Sequence, residues 1–98
     1  MTRRLILRPE ARDDADEAAS WYEGEQEGFG LQFLDEVDAI LERVVEVPFQ
    51  FPQVAEGVRR ALLRRFPYSM YFTLGPDEVV VLAILHMHRH PGTWRRRR

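Results

Sequence analysis

The sequence predicts an α+β domain in the order β-α-α-β-β-β, with a helical hairpin packed on a small, mostly antiparallel sheet. Three observations carry this. Residues 9–26 and 30–46 hold apolar side chains at helical spacing on either side of a glycine-containing turn. Residues 68–74 alternate with a period of two, placing Tyr68, Met70, Phe72 and Leu74 on one face and Ser69, Tyr71 and Thr73 on the other. Residues 79–87 (VVVLAILHM) are apolar nearly throughout, as expected of a central strand covered on both faces. With 98 residues the chain makes one domain, 1–98, near the small end of the usual range. A chain of this size buries only about 60–65% of its unfolded surface. Its stability is modest, and a partner covering exposed apolar surface would matter to it.

Residues 3–8 (RRLILR) form a short first strand, closed by Pro9, which has no N–H to give a ladder. Pro9 also suits the first turn of the helix over 9–26, where Glu10, Asp13 and Asp14 favour the positive end of the helix dipole. Ala11, Ala15, Ala18 and Tyr22 share one face of that helix, with Ala19 beside it, so a neighbouring element can approach closely. Trp21 and Tyr22 add bulk for contacts with the core. Gly28 and Gly30 mark the turn. Phe33, Leu34, Val37, Ile40, Leu41 and Val44 give the helix over 30–46 its apolar stripe, and Pro48 stops it. Residues 48–57 read as a connecting loop in which Phe49 and Phe51 anchor onto the domain edge. Strands are expected over 58–66, 68–74 and 79–87, the last two joined by a hairpin turn at Gly75-Pro76-Asp77. The helical hairpin covers one face of the apolar strand. Either the first strand and the C-terminal segment cover the other, or a second molecule does.

Charge divides the chain. Residues 57–98 hold nine Arg against Asp77 and Glu78, a net of +7, whereas residues 1–56 carry a net of −9. The overall −2 hides a dipole along the sequence and predicts one basic face for an anionic or acidic partner. All fourteen basic residues are Arg, whose planar fork suits phosphates and carboxylates. Residues 95–98 (RRRR) are expected to be a solvated, mobile tail that adds salt-dependent affinity for anions. The absence of Cys excludes disulfides, a thiolate nucleophile and Cys-based metal sites, and fits a reducing cytoplasm. No apolar run approaches the roughly 20 residues of a membrane span, and no signal peptide is visible. His86, His88 and His90 share one side of a strand, but no nearby carboxylate completes a metal shell; neither a metal nor another cofactor is expected.

Several segments act together as a signature. They are Ala11–Asp14, WYE at 21–23, GFGLQFLDEV at 28–37, Pro48, VRRALLRRFPYSMYF at 58–72 and VVVLAILHMHRHPGTWRRR at 79–97. The succession of FPY, an apolar strand and then H-x-H-R-x-P-x-x-W at His86–Trp94 is the most specific part. In this order they resemble the RelE/ParE superfamily of toxins from type II toxin–antitoxin systems, and the ParE-like branch more closely. The resemblance implies a growth-arresting toxin held inactive in a hetero-oligomer with a cognate antitoxin. It also implies one of two targets. ParE-like members poison DNA gyrase and are not known as nucleases; RelE-like members cut mRNA on the ribosome. A domain that has lost toxicity and only binds an antitoxin is a third possibility.

RNA cleavage of the RelE type has a 2′-hydroxyl attack the adjacent phosphate. It needs a base, an acid and cations for the developing charge. His86 and His88 have the right intrinsic pKa class, and Arg65 and Arg89 could stabilise charge. The RelE-like nucleases tend to place an arginine after the tyrosine of the corresponding strand; here that position is Ser69. A gyrase poison instead needs a binding surface, for which Arg59, Arg60, Arg64, Arg65, Arg89, Trp94 and Arg95 are the candidates. The departure at Ser69 favours the non-nuclease reading.

Overall fold

The computed structural model describes residues 3–89 and 92–98. Strand β1 (Arg4–Leu7) leads directly into helix α1 (Pro9–Glu25), with Pro9 in the first helical turn. Helix α2 (Phe29–Glu46) follows, then a single 3-10 turn (Pro48–Gln50). Strands β2 (Gln53–Ala55), β3 (Val58–Leu62), β4 (Tyr68–Leu74) and β5 (Glu78–His86) complete the sheet, and a short helix α3 (Thr93–Arg96) closes the chain. The sheet order is β1-β5-β4-β3-β2. Only β1 and β5 run parallel; the other pairs are antiparallel.

The helical hairpin is set by small residues. Ala11, Ala15, Ala18 and Ala19 are the buried side chains of α1, and they let α2 come close. Gly30 lies within α2 rather than in the turn: a Cβ there would stand 2.7 Å from the carbonyl oxygen of Ala19. The turn itself needs Gly28, whose φ of 91° is a left-handed conformation that side chains avoid. Glu23 reaches across from α1 and accepts the N–H groups of Gly28 and Gly30 at 3.0 Å each, which satisfies donors that the start of α2 would otherwise leave orphaned.

Phe33, Val37, Ile40, Leu41 and Val44 of α2 pack onto Met70, Phe72, Val79, Val81 and Ile84 of the sheet. This face of β4 is the one its alternation predicts. Its other face is covered by the C-terminal segment. Trp94 on α3 is buried and stacks on Tyr71 with ring centroids 5.4 Å apart. β1 takes no part in that cover, because it pairs in the plane of the sheet beside β5. A bulge in β5 serves the second cluster. Tyr71 pairs with Ala83 and Phe72 with Val81, leaving Leu82 unpaired, so both Leu82 and Ala83 turn towards Tyr71 and Trp94.

Two segments differ from expectation. Residues 53–55 are a strand, not loop, folded back on β3 around Gly57, whose φ is 77°. Residues 63–66 leave the sheet after Leu62, because Glu36 of α2 captures the backbone N–H groups of Arg64 and Arg65. Among the described residues no helix is long and apolar enough to cross a membrane.

Candidate target-binding surface

One end of the sheet gathers several of the predicted residues. Tyr68 opens β4 opposite His86, the last residue of β5, and the two rings meet edge to face at 5.3 Å. The backbone N–H of His88 donates to Nδ1 of His86 at 3.1 Å. Arg89 lies over the indole of Trp21 at 5.6 Å and donates to the Tyr68 hydroxyl at 3.4 Å. Tyr22, Phe29, Phe33 and Phe66 form the aromatic floor beneath, with Tyr22 and Phe66 centroids only 4.7 Å apart. Burial pushes the phenol of Tyr68 above its ordinary value, against the opposing pull of the Arg89 cation. Tyr22 is raised as well, first by burial and then by the neighbouring Tyr68 phenol. Trp21 is not a core residue: it is 50% exposed, and it faces Arg89.

The other arginines do not join this cluster, nor do they share one face. Arg59 and Arg60 are neighbours on β3 and so point to opposite sides of the sheet. Arg59 donates to the carbonyl of Phe51 at 2.6 Å and covers the ring of Phe49 at 5.2 Å. That ring is 66% exposed and also carries Arg3, so Phe49 is a cation platform, whereas Phe51 packs on Phe72. Arg60 faces the Tyr71 side, where its Nε is buried without a partner among the described residues. Arg64 is exposed, held only through its backbone to Glu36. Arg65 pairs with Glu36 at 3.3 Å with its own side chain largely in solvent, an arrangement worth at most about 1 kcal/mol. Arg95 is exposed above the ring of Trp94 at 4.9 Å. Trp94 itself is 3% exposed, so it holds the tail rather than offering an aromatic surface to a target.

Ser69 is 1% exposed, and its Oγ has no partner among the described residues. The position that resembles the phosphate-facing arginine of the nucleases therefore lies inside the protein, on the face opposite Tyr68. Among the described residues no group of three or more His, Asp or Glu side chains is arranged to hold a metal ion, and His90 lies outside them.

Asp14 and Arg97 are the pair that sequence reasoning missed. β1 ends opposite Val81, which leaves the edge of β5 beyond it open. Asp14 of α1 fills that gap, its Oδ2 accepting the N–H of Ile84 at 3.0 Å. Arg97 donates to both carboxylate oxygens of Asp14, at 2.5 and 3.2 Å, and to the carbonyl of Leu82 at 3.3 Å. The ion pair thus stands in for a missing stretch of strand. The Asp14 hydrogen bond holds the Arg97 guanidinium above its already high ordinary pKa. Arg8 clasps the carbonyl of Arg97 at 2.6 Å, so the tail expected to be mobile is tied down there. A cavity of about 280 Å³ opens between this pair, Glu17, Trp21, Tyr68 and Arg89.

Comparison with known proteins agrees with this architecture. Toxin ParE2 of Mycobacterium tuberculosis, in strains CDC 1551 / Oshkosh and ATCC 25618 / H37Rv, is 28% identical over 93 residues, covering 94% of this chain and 89% of the relative. A solved structure of the chromosomal ParDE TA system from P. aeruginosa superposes with a TM-score of 0.77 at 23% identity, covering 86% of this chain and 95% of that one, which supports the fold. The family model for the ParE toxin of the type II toxin–antitoxin system parDE matches residues 5–91. With nearly the whole chain matched, and with the helical hairpin laid on the five-stranded sheet, the protein belongs to the ParE toxin family.

Proposed function

We propose that this ParE-family toxin arrests growth by binding DNA gyrase and trapping its cleaved-DNA state, and that a cognate antitoxin neutralises it in a cytoplasmic hetero-oligomer. The observation that carries the choice of target is Ser69. A nuclease of the related type needs a cation at the scissile phosphate, and here that position is a buried serine. Nδ1 of His86 is also taken, by the backbone N–H of His88. What the surface offers instead is dispersed cationic reach. Arg64, Arg65, Arg89 and Arg95 present exposed guanidinium groups to carboxylates or phosphates, and they suit binding rather than catalysis.

The test is a supercoiling and cleavage assay with purified gyrase, relaxed plasmid, ATP and antitoxin-free protein. Linear DNA accumulating with toxin supports the proposal. Gyrase untouched at micromolar protein sinks it. One observation favours a second reading: His86, His88, Arg89 and Tyr68 do meet at one end of the sheet, beside a cavity. Under that reading the protein is a ribosome-dependent mRNA endonuclease, and His86→Ala with His88→Ala abolishes toxicity. If the double variant stays toxic, acid–base chemistry by these histidines is excluded.

A further inference from the structure

A second cationic site lies at the end of the sheet opposite Tyr68 and His86, beside the β4–β5 hairpin. Three arginines from separate elements converge there on the 3-10 turn Pro48–Gln50. Arg3, just ahead of β1, and Arg59, on β3, both lie over the ring of Phe49, at 5.4 and 5.2 Å from its centroid. β5 and β4 stand between those two strands in the sheet, so the fold and not the sequence brings the pair together. Each is anchored to a backbone carbonyl, Arg3 through Nε to Gly75 at 3.1 Å and Arg59 through one Nη to Phe51 at 2.6 Å. A guanidinium carries five N–H donors, so both forks keep donors to spare. Arg43 joins from the last turn of α2, donating to Oε1 of Gln50 at 3.1 Å.

Among the described residues none of the three makes an ion pair. The nearest acid in sequence, Glu46, lines a groove between β1 and α2 with Leu5 and Leu41. Arg43 suits the negative end of the α2 dipole, but the dipole does not account for two sheet arginines sharing one ring. Like charges gathered without a counter-charge repel, and the arrangement is relieved by an anion. Phe49 remains 66% exposed under its two cations, so part of the ring is open to solvent. Packing does not require an aromatic there, since the core contact with Phe72 is made by Phe51.

We infer that this end of the protein binds single-stranded nucleic acid, with Arg3 and Arg59 on backbone phosphates and the open surface of Phe49 against a base. Planar forks meet phosphate oxygens two at a time, and an aromatic surface accepts any base. A duplex offers the phosphates but keeps its bases stacked on one another. An acidic peptide offers carboxylates and nothing for the ring. The gyrase reading rests on Arg64, Arg65, Arg89 and Arg95, so the two stand or fall separately.

The experiment is fluorescence anisotropy with the full chain and a short labelled oligothymidine, repeated with a duplex and over a range of salt. The single strand is expected to bind in low salt, and more tightly than the duplex. Arg3→Gln with Arg59→Gln should weaken it about tenfold and lower the salt slope by about 1.4, the value for two phosphate contacts on a single strand. Phe49→Ala should weaken the single strand about fivefold or more and leave the duplex unchanged. Because Phe49 is exposed, that variant tests the site even where loss of Arg59 unsettles β3. Arg12→Glu on the exposed side of α1 changes the net charge by the same amount as the double variant and should have less than a twofold effect. No binding in low salt overturns the inference, as does an equal loss from Arg12→Glu. Full affinity in Phe49→Ala overturns it too. So does displacement of the single strand by an equal concentration of a glutamate peptide, since the site would then be a carboxylate clamp.

Discussion

The two faces of the β4–β5 pair are covered in different ways. On one, two helices of 17 and 18 residues lay a continuous apolar stripe over Met70, Phe72, Val79 and Val81. On the other, one tryptophan and one ion pair serve where a whole layer would otherwise be needed. The first face gains its stability from area, and it tolerates the loss of any one contact only at the cost of a cavity. The second depends on a few residues from the end of the chain, so a single substitution there can release the segment that bears them. A small domain can therefore bury both faces of its central strand without a third layer, provided that polar groups finish the edge that apolar area cannot.

The difference can be broken or sharpened by mutation. The largest effect is expected from Phe33→Ala, a fully buried side chain of α2 in the core between helices and sheet, at about 3–5 kcal/mol by chemical denaturation. Trp94→Ala should cost less, about 3 kcal/mol, because the tail can let go instead of leaving a void. An equal or greater loss from Trp94 would show that the second face is as integral as the first. Next comes the ion pair. Arg97→Ala should cost about 2 kcal/mol, since it leaves a charged, partly buried carboxylate against β5. A double-mutant cycle with Asp14→Asn should show coupling of about 1 kcal/mol or more, and additive losses would mean that the two side chains act separately.

On the helical side, Gly30→Ala should cost about 1–2 kcal/mol even though alanine favours helices, because the added methyl meets the Ala19 carbonyl. An unchanged melting temperature would mean the hairpin can open without penalty. The smallest effect is alkaline. Tyr22 and Tyr68 have folded-state pKa values above the ordinary 10.0, so the stability they contribute is present in full below pH 10 and is lost as pH rises through the folded values. Ultraviolet titration of the phenols should show ionisation delayed in the native protein, and Tyr68→Phe should weaken the alkaline loss of stability.

The helices and β4 were legible because their apolar residues repeat over many turns of one period. The two faces of β4 follow from that period alone. Gly30 was misread because a glycine that lets two helices touch looks the same in sequence as one that turns the chain; only Gly28 has the left-handed φ. β2 was missed because three residues between Pro52 and Glu56 carry no usable period. The expected strand over 58–66 ended early through a contact from α2, which no local pattern encodes. Of the expected basic residues, Arg59 and Arg60 are adjacent on β3 and point to opposite sides of the sheet, so a cluster in sequence is not a cluster in space. The Asp14–Arg97 pair spans 83 residues, and a chain with sixteen acids and fourteen arginines offers far too many combinations to single it out.

Parallel pairing of β1 with β5 has a consequence for synthesis. The partners of the Arg4–Glu78 register lie 74 residues apart, so β1, α1 and α2 leave the ribosome well before the strand that must lie beside β1. Until β4 and β5 arrive, the stripe of Phe33, Val37 and Val44 has no sheet to rest on. The assembled surface, with both its arginines and its groove, is thus a late product of translation, and the emerging N-terminal half cannot act as a miniature of the finished toxin.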